Sequence, residues 1–345
     1  MLRSLTAGNP GARLAAAPES RIPALSQPRH HTVQVPATTA NLGAGFDAFG
    51  FAVDRHLVVR TRPRRTDGVR VRDVDGRLAD VPTGEDNLIW TAFRSFCERY
   101  DTPVPDVSLE ASSQIPLERG MGSSSAAIVA GLALARAETG TAVGDRELVG
   151  VATELEGHPD NVAAAVLGGL VACTAADDGA VITRRVTPAA RLRPFLLVPV
   201  VRQGTQEARA VLPASLSRAD AALQAGRAGH VLGALGGWWP MDVRASGDVL
   251  HEPSRRRVMH PSSLVLDALR RTGVHSWLSG AGPSVGVAVD ALDADVGAQV
   301  RAIADAHDFE VYAVSFDLAG TVTCPDDACA FSGSPTCLQC PRRRV

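Results

Sequence analysis

Hydrophobic and polar residues alternate along four short segments in the first part of the chain. An alternation of this kind is typical of strands that bury one face, and it predicts strands over residues 32–35, 51–60, 69–74 and 106–115. Pro36 is expected to end the first strand. Apolar residues at helical spacing predict helices over residues 87–100, 123–139 and 147–157. Thr83 or Asp86 is expected to cap the first helix.

The rest of the chain mixes the two patterns irregularly. The expected strands cover residues 168–174, 195–202, 276–279, 285–289 and 310–316. The expected helices cover residues 204–235, 262–272 and 291–307. Because strands and helices do not alternate in a strict repeat, the pattern predicts an α+β fold with two lobes rather than a doubly wound parallel sheet.

The two ends of the chain differ in composition from the part between them. Residues 1–29 are rich in Ala, Pro, Ser and Arg without an apolar period, which predicts a disordered extension. An N-terminal lobe is expected over residues 30–195 and a C-terminal lobe over residues 196–322. Residues 323–345 form a tail that either binds zinc, because its last two cysteines have ligand spacing, or is disordered, which we favour. The tail cysteines are Cys324, Cys329, Cys337 and Cys340.

Composition and charge exclude several classes of protein. The net charge is -2, whereas nucleic-acid binders are usually basic. No apolar run approaches the roughly 18 residues needed to cross a membrane. With no secretory signal in the sequence, we expect a reducing, cytoplasmic location, with Cys97 and Cys173 as inert thiols in the core.

The chain has 35 basic residues, and all of them are arginines. A Walker A loop and a protein-kinase fold each need a lysine at the nucleotide phosphates. The sequence therefore excludes both as active enzymes.

A glycine- and serine-rich loop, PLERGMGSSSAA, carries the clearest chemistry. Its two glycines allow the backbone to approach a ligand closely, and its three serines open an apolar helix. The N–H groups and the positive dipole end of such a helix bind phosphate. A serine N-cap after a glycine turn would look similar, but a cap does not need two glycines and three serines. The expected nucleotide-binding residues are Pro116, Leu117, Glu118, Arg119, Gly120, Met121, Gly122, Ser123, Ser124, Ser125 and Ala126.

This loop resembles the phosphate loop of the GHMP kinases. PATTANLGAGFD at residues 36–47 and SGAGPSV at residues 279–285 agree with that family in order and approximate spacing. Within the family the chain most resembles the homoserine kinases, on the segments ANLGAGFDAFGFAVD, EGHPDNVAAAVLGG, TQEARAVLP, LHEPSRR and LSGAGPSV. The resemblance spans residues 31–322. It implies the GHMP kinase fold, with a ribosomal-protein-S5-like N-terminal lobe and a ferredoxin-like C-terminal lobe.

The resemblance also implies a reaction, transfer of the ATP γ-phosphoryl group to the side-chain hydroxyl of L-homoserine in threonine biosynthesis. Amide and carboxylate side chains suit the charged ends of an amino acid, and arginine grips a carboxylate bidentately. The residues expected on homoserine are Asn41, Asp47, His158, Asn161, Arg209, Arg255 and Gly280.

Further roles follow from the same resemblance. Ser124 and Glu156 are expected on Mg²⁺, with Glu154 as the alternative carboxylate. Asp160 and Thr205 are expected as catalytic residues, Asp160 near the substrate and Thr205 near the transferring phosphate. His158 and Asp160 are candidates for a general base, and neither is committed. Asn87 is expected near the adenine, although it is also suited to cap a helix.

Three rival interpretations stay open on the sequence alone. They are a GHMP kinase acting on mevalonate or shikimate, a kinase-like protein that binds a metabolite without turnover, and a structural protein with a metal-binding tail. The two arginines with Asn41 and Asp47 favour an amino-acid substrate, and Ser124, Glu156 and Asp160 argue against a non-catalytic protein. The third explains none of the internal motifs. Oligomeric state is open, with a homodimer as one alternative.

Overall fold

The computed structural model describes residues 30–291 and 293–325 of the 345-residue chain, apart from the side chains of Thr205 and Ala294. The extension expected over residues 1–29 lies outside the described residues. So do residues 326–345 and, with them, three of the four cysteines considered as zinc ligands in the tail, Cys329, Cys337 and Cys340.

The described part of the chain forms strands and helices throughout its length. The strands are β1 His31–Asn41, β2 Gly45–Pro63, β3 Val71–Asp73, β4 Val107–Ser113, β5 Leu170–Ala175, β6 Val181–Val186, β7 Leu192–Pro199, β8 His275–Leu278, β9 Val285–Asp290, β10 Phe309–Ala313 and β11 Val322–Pro325. The helices are α1 Leu88–Arg99, α2 Ser123–Thr139, α3 Asp145–Glu156, α4 Pro159–Leu167, α5 Thr205–Ala210, α6 Arg218–Leu235, α7 Glu252–Val258, α8 His260–Arg271 and α9 Ala294–Asp305.

These strands form two sheets. The larger has the order β11-β1-β2-β4-β3, with β5 paired to β2 and β6 paired to β5. Its pairs are antiparallel except β3 with β4. The smaller sheet is antiparallel, in the order β10-β7-β9-β8. The predicted α+β class with two lobes is confirmed.

Helix α2 is the central helix of the first lobe. It packs on β1 and β2 and lies against α1, α3 and α4. Its alanine- and leucine-rich sequence has high helix propensity, and Ile128, Leu132 and Leu134 are fully buried in the apolar core. Gly140 ends it in the left-handed conformation. Burial along this length fixes where the N-terminus of α2 points.

Several local predictions were wrong. β1 does not end at Pro36, because a register shift against β2 between Pro36 and Ala37 lets the strand continue. The cap of α1 is neither Thr83 nor Asp86. The single helix expected over residues 204–235 is divided into α5 and α6, and Pro213, which cannot continue a helix, lies between them. The sequence pattern also did not predict α4, β6, α7 and β11.

The end of the described chain returns to the first lobe, because β11 pairs with β1. The tail expected from residue 323 therefore begins as a paired strand, and Cys324, on β11, is 7% exposed. The thiols of Cys97 and Cys173 are buried, as expected, and burial raises the pKa of Cys97 and raises that of Cys173 to about 12. Among the described residues, no helix combines the length and apolar character that crossing a membrane requires.

Candidate active site

The loop before α2 has the backbone geometry of a ligand cradle. Gly122 precedes the helix with a φ of 68°, and no side chain caps the helix. A Cβ at Gly122 would lie 2.0 Å from the Thr38 hydroxyl, and one at Gly120 would lie 2.1 Å from the Ser279 carbonyl oxygen. Glycine is therefore required at both positions by sterics and by φ. The N-terminus of α2 is open to a ligand.

Four sequence motifs meet at this loop. The Thr38 backbone N–H donates to the Met121 carbonyl at 3.2 Å, and the Thr38 hydroxyl donates to Asn161 Oδ1 at 2.8 Å. The Ser279 hydroxyl donates to the Gly120 carbonyl. Segments that are far apart in sequence thus form one continuous wall.

The hydroxyls of Ser124 and Ser125 converge on a single carboxylate. They donate to the same Glu156 oxygen, Oε1, at 2.7 and 2.8 Å. The Glu156 side chain is 9% exposed. Glu154, the alternative, is instead 61% exposed and forms an ion pair with Arg99 at 2.6 Å. Hydroxyl and carboxylate oxygens are the ligands that Mg²⁺ prefers, so the donor set at Glu156 fits that ion.

Arg255 is a buried cation without an acidic partner. It is 2% exposed, and its guanidinium donates to the carbonyls of Gly280 at 2.8 Å and Ala208 at 3.1 Å. Within the described part of the chain, no carboxylate forms an ion pair with it. Burial, and then the charge of Arg209, lowers the pKa of Arg255 to about 10, so it remains charged at neutral pH.

The second arginine of this region lies beside it. The Arg209 guanidinium donates to Asp47 Oδ1 at 2.7 Å, and both side chains are about one-third exposed. Asn41 donates to the Gly280 carbonyl at 2.7 Å. Asn41 and Asp47 have positive φ values of 71° and 54°, which non-glycine residues rarely adopt and which cluster at functional sites.

Asp160 is a buried carboxylate that contacts His158 and Asn161 at the site. It is 1% exposed, and its Oδ1 lies 2.8 Å from His158 Nδ1 and accepts the Asn161 backbone N–H at 2.7 Å. Burial lowers the pKa of His158, but the hydrogen bond and the charge of Asp160 outweigh it and raise that pKa above its usual value. The imidazole is therefore held in a fixed orientation by a buried carboxylate.

Two cavities adjoin at the N-terminus of α2. The charged cavity, of about 200 Å³, is lined by Asn41, Asp47, Glu156, His158, Arg209 and Arg255, among others. The apolar cavity, of about 310 Å³, is lined mainly by side chains such as Leu57, Leu78, Val81, Ile89, Ile115 and Ala127. Glu118, Ser123 and Ser124 line both cavities. The junction of the two therefore lies at the glycine–serine loop.

Most of the residues predicted from sequence line these cavities. The charged cavity brings together Asn41, Asp47, Glu118, Gly120, Gly122, Ser123, Ser124, Ser125, Glu156, His158, Asp160, Asn161, Arg209, Arg255 and Gly280. The apolar cavity adds Asn87 and Leu117. The predicted residues that line neither cavity are Pro116, Arg119, Met121 and Ala126. Met121 and Ala126 are fully buried in the core instead.

Asn87 and Thr205, two further predicted residues, lie at the N-terminal ends of helices. Asn87 caps α1, since its Oδ1 accepts from the Ile89 N–H at 2.9 Å and its amide donates to the Pro82 carbonyl at 2.6 Å. It lines the apolar cavity in that role. Thr205 is the first residue of α5, and its predicted role lies outside the described side chains.

The sequence did not indicate all of the residues that line the cavities, and Phe46, Gln203 and Arg202 are among those it left out. Phe46 and Gln203 line the charged cavity, and Arg202 lines the apolar one while pairing with Asp80 at 2.8 Å. Phe46 adjoins the predicted Asp47, but a phenyl ring carries no reactive group and was overlooked. Arg202 and Gln203 precede Thr205, and only their position in the chain could have indicated them.

Comparison with known proteins agrees with this geometry. Residues 87–169 match the family described as GHMP kinases N terminal domain. A homoserine kinase of Streptomyces coelicolor is 37% identical over 299 residues, which are 85% of this chain and 94% of the relative. One from Mycolicibacterium vanbaalenii is 40% identical over 266 residues, 74% of this chain and 83% of the relative.

A solved structure supports the same relationship. The crystal structure of homoserine kinase from Cytophaga hutchinsonii has a TM-score of 0.73 at 26% identity, covering 87% of this chain and 98% of that one. With relatives of this identity matched over most of their length, the chain belongs to the homoserine kinase family of the GHMP kinases.

Proposed function

We propose that this protein transfers the γ-phosphoryl group of ATP to the side-chain hydroxyl of L-homoserine, giving O-phospho-L-homoserine and ADP. Family membership supports the reaction class. The observation that carries the acceptor is Arg255, a buried guanidinium beside Arg209 with no acidic partner among the described residues. A buried charge is costly unless it is paired. A substrate carboxylate is the partner that this site lacks.

The charged cavity also offers negative charge. Asp47 and the buried Asp160 line it together with the two arginines. A cavity with separate cationic and anionic groups suits a zwitterion, whose carboxylate meets the guanidiniums and whose ammonium meets a carboxylate. An acceptor without an amino group would leave these carboxylates without that partner, which favours homoserine over mevalonate or shikimate.

ATP is expected to extend across both cavities. The apolar cavity suits the adenine, and the open N-terminus of α2 suits the phosphates, because its N–H groups and dipole attract negative charge. Since Ser123 and Ser124 line both cavities, the γ-phosphate would lie at their junction, facing the acceptor hydroxyl. In this placement the N–H groups and the dipole of α2, rather than a lysine, would bind the phosphates.

Ser124 and Glu156 would hold Mg²⁺, which supplies neutralisation of the phosphate charge. Ser125 shares the same Glu156 oxygen and would hold that carboxylate in place. The remaining positive charge comes from the helix N-terminus and the arginines.

The proposal needs no general base. In phosphoryl transfer through a loose transition state, catalysis rests mostly on positioning and on charge stabilisation. His158 and Asp160 are held by their mutual hydrogen bond and would position the acceptor. Cytoplasmic location, a place in threonine biosynthesis and a homodimer stay predictions.

A coupled ADP-release assay with a panel of acceptors tests this function. The panel is L-homoserine, L-serine, L-threonine, mevalonate and shikimate, each with MgATP. We expect homoserine to exceed serine, which is one methylene shorter, by about 100-fold in kcat/KM. A preference for mevalonate or shikimate would show that the acceptor is not an amino acid. If none of the five acceptors supported ADP release, the proposal would be contradicted.

A further inference from the structure

Phe46 is an aromatic residue that does not belong to the core. It lies at the start of β2, is partly exposed, and lines the charged cavity. Among the described residues, the two apolar clusters that form the cores of the lobes do not include it. Its neighbour Phe49 does belong to a core cluster, which shows that the same strand buries its other phenyl rings in the ordinary way.

Two arginine guanidiniums lie near the ring of Phe46. The Arg209 guanidinium carbon lies 5.6 Å from the ring centroid, and that of Arg255 lies 5.4 Å from it. Both distances are within the range of about 6 Å in which a guanidinium is attracted to an aromatic ring. One phenyl ring therefore contacts both guanidinium groups of the charged cavity.

A buried anchor fixes this ring and Arg255 together. The His251 imidazole stacks on Phe46, with centroids 5.0 Å apart and an interplanar angle of 24°. His251 is fully buried, and its Nδ1 lies 2.9 Å from Asp248 Oδ1. The Asp248 carboxylate also accepts the Glu252 N–H at 2.9 Å, at the first residue of α7, the helix that carries Arg255.

The choice of a phenyl ring has an electrostatic consequence. Two neighbouring guanidiniums repel each other, and Asp47, which pairs with Arg209, offsets only part of that repulsion, because the charge of Arg209 lowers the pKa of Arg255 more than the charge of Asp47 raises it. An aromatic face attracts cations without accepting their N–H bonds in the plane of the guanidinium. The guanidinium donors that are not bound to Asp47, Ala208 or Gly280 therefore stay available to an acceptor.

We propose that Phe46 is a positioning residue that holds the Arg209 and Arg255 guanidiniums side by side for the carboxylate of the acceptor. It thereby sets the preference of this site for acceptors that carry a carboxylate. This inference rests on the proposed function, because it takes the acceptor to be an amino acid phosphorylated at its side chain.

The test replaces Phe46 with phenylalanines carrying one, two, three and five fluorines on the ring. Fluorination weakens the attraction of the ring for cations in steps while keeping its shape nearly constant. We expect the KM for homoserine to rise along the series, reaching about tenfold with five fluorines, while kcat and the KM for ATP stay within about twofold. Phe46→Leu, which keeps apolar bulk and loses the ring, should raise the KM for homoserine by a similar factor.

Two controls separate this role from a structural one. Fluorinating Phe195, whose ring lies 5.4 Å from the Arg301 guanidinium and lines neither cavity, should leave the KM for homoserine unchanged. The second control is 2-amino-1,4-butanediol, which keeps the amine and the reacting hydroxyl but lacks the carboxylate. Its kcat/KM should not change along the Phe46 series.

The outcomes distinguish the two proposals. A flat KM for homoserine along the Phe46 series, or an equal trend with the diol, would overturn the role of Phe46 and leave the kinase function intact. If the wild-type protein phosphorylates neither acceptor, the proposed function fails. Calorimetric titration of homoserine into the same series then decides the role of Phe46, with weakening affinity supporting it and constant affinity overturning it.

Discussion

The phosphate loop and the charged cavity adjoin at the N-terminus of α2 but are built in different ways. The loop is one continuous segment whose glycines and serines act through local backbone geometry. The charged side collects Asn41, His158, Arg209 and Arg255 from four separate parts of the chain. A sequence pattern can indicate the local geometry of one segment, whereas no such pattern indicates a charged site that is built from distant segments.

The apolar cavity and the charged cavity also differ in the side chains that line them. The apolar cavity is lined mainly by aliphatic side chains and suits a flat ring. The charged cavity contains a nearly fully buried arginine that depends on backbone carbonyls and a neighbouring ring. We therefore expect substitutions on the two sides to affect different substrates, and substitutions at the junction to affect the reaction itself.

The largest effect is expected at the junction, from Glu156→Gln. The variant keeps shape but removes the charge that receives the two serine hydroxyls, so kcat should fall by about 10³-fold with the Mg²⁺ requirement raised. The matched control is Glu154→Gln, at an exposed ion pair two residues away. Kinetics over a range of Mg²⁺ concentrations measure both variants, and equal effects at the two positions would refute the assignment.

A smaller effect is expected from Gly122→Ala, which tests the phosphate-loop side. The new Cβ would meet the Thr38 hydroxyl and displace the loop, so kcat/KM for ATP should fall by about 100-fold. Gly140→Ala is a close control, because its φ of 67° matches the 68° of Gly122 while its Cβ would meet nothing within 4 Å. This control should lose about 1 kcal/mol of stability and keep its activity. Similar activity losses in both variants would show that backbone strain alone is responsible.

The smallest effect concerns stability behind the charged side. His275 is buried with neither ring nitrogen hydrogen-bonded, and it approaches the turn at Gly43. Burial, and then the charge of Arg270, lowers the pKa of His275 to about 3. Below its ordinary pKa of about 6.5 the unfolded chain binds a proton there and the folded protein does not, so stability falls as pH falls through this window, by up to about 1.4 kcal/mol per unit.

Urea unfolding at pH 7, 6 and 5 measures this effect. The variant His275→Gln should lose less stability between pH 6 and pH 5 than the wild type does. The exposed substitution His260→Gln provides the control and should keep the wild-type slope. Parallel slopes for wild type and His275→Gln would contradict the prediction.

The sequence indicated much of the fold and of the site, for reasons that differ by region. The long apolar helix α2 and the glycines before it are local features, and the structure has them where the pattern predicts. The continuation of β1 through Pro36 depends on a bulge against β2, which periodicity does not encode. The Asn87 cap was one of the two roles that the sequence left open for that residue.

The residues of the charged cavity could not be identified from local sequence patterns. Among 35 arginines, only resemblance to a family distinguished Arg209 and Arg255, because no local pattern marks them. Phe46 was missed since its contribution lies in where its ring is placed relative to two cations. Such a role becomes visible only when the tertiary structure is known.

The division between the cavities is tested most directly by one crossed measurement of KM values for homoserine and ATP. Arg209→Leu should raise the KM for homoserine by about 30-fold and leave the KM for ATP within about twofold. Ala127→Leu, which fills part of the apolar cavity, should raise the KM for ATP by about tenfold and spare homoserine. Arg256→Leu and Ala137→Leu, on the same helix as Arg255 and Ala127 respectively, are the controls. An unchanged KM for homoserine in Arg209→Leu would contradict the assignment of the charged cavity to the acceptor.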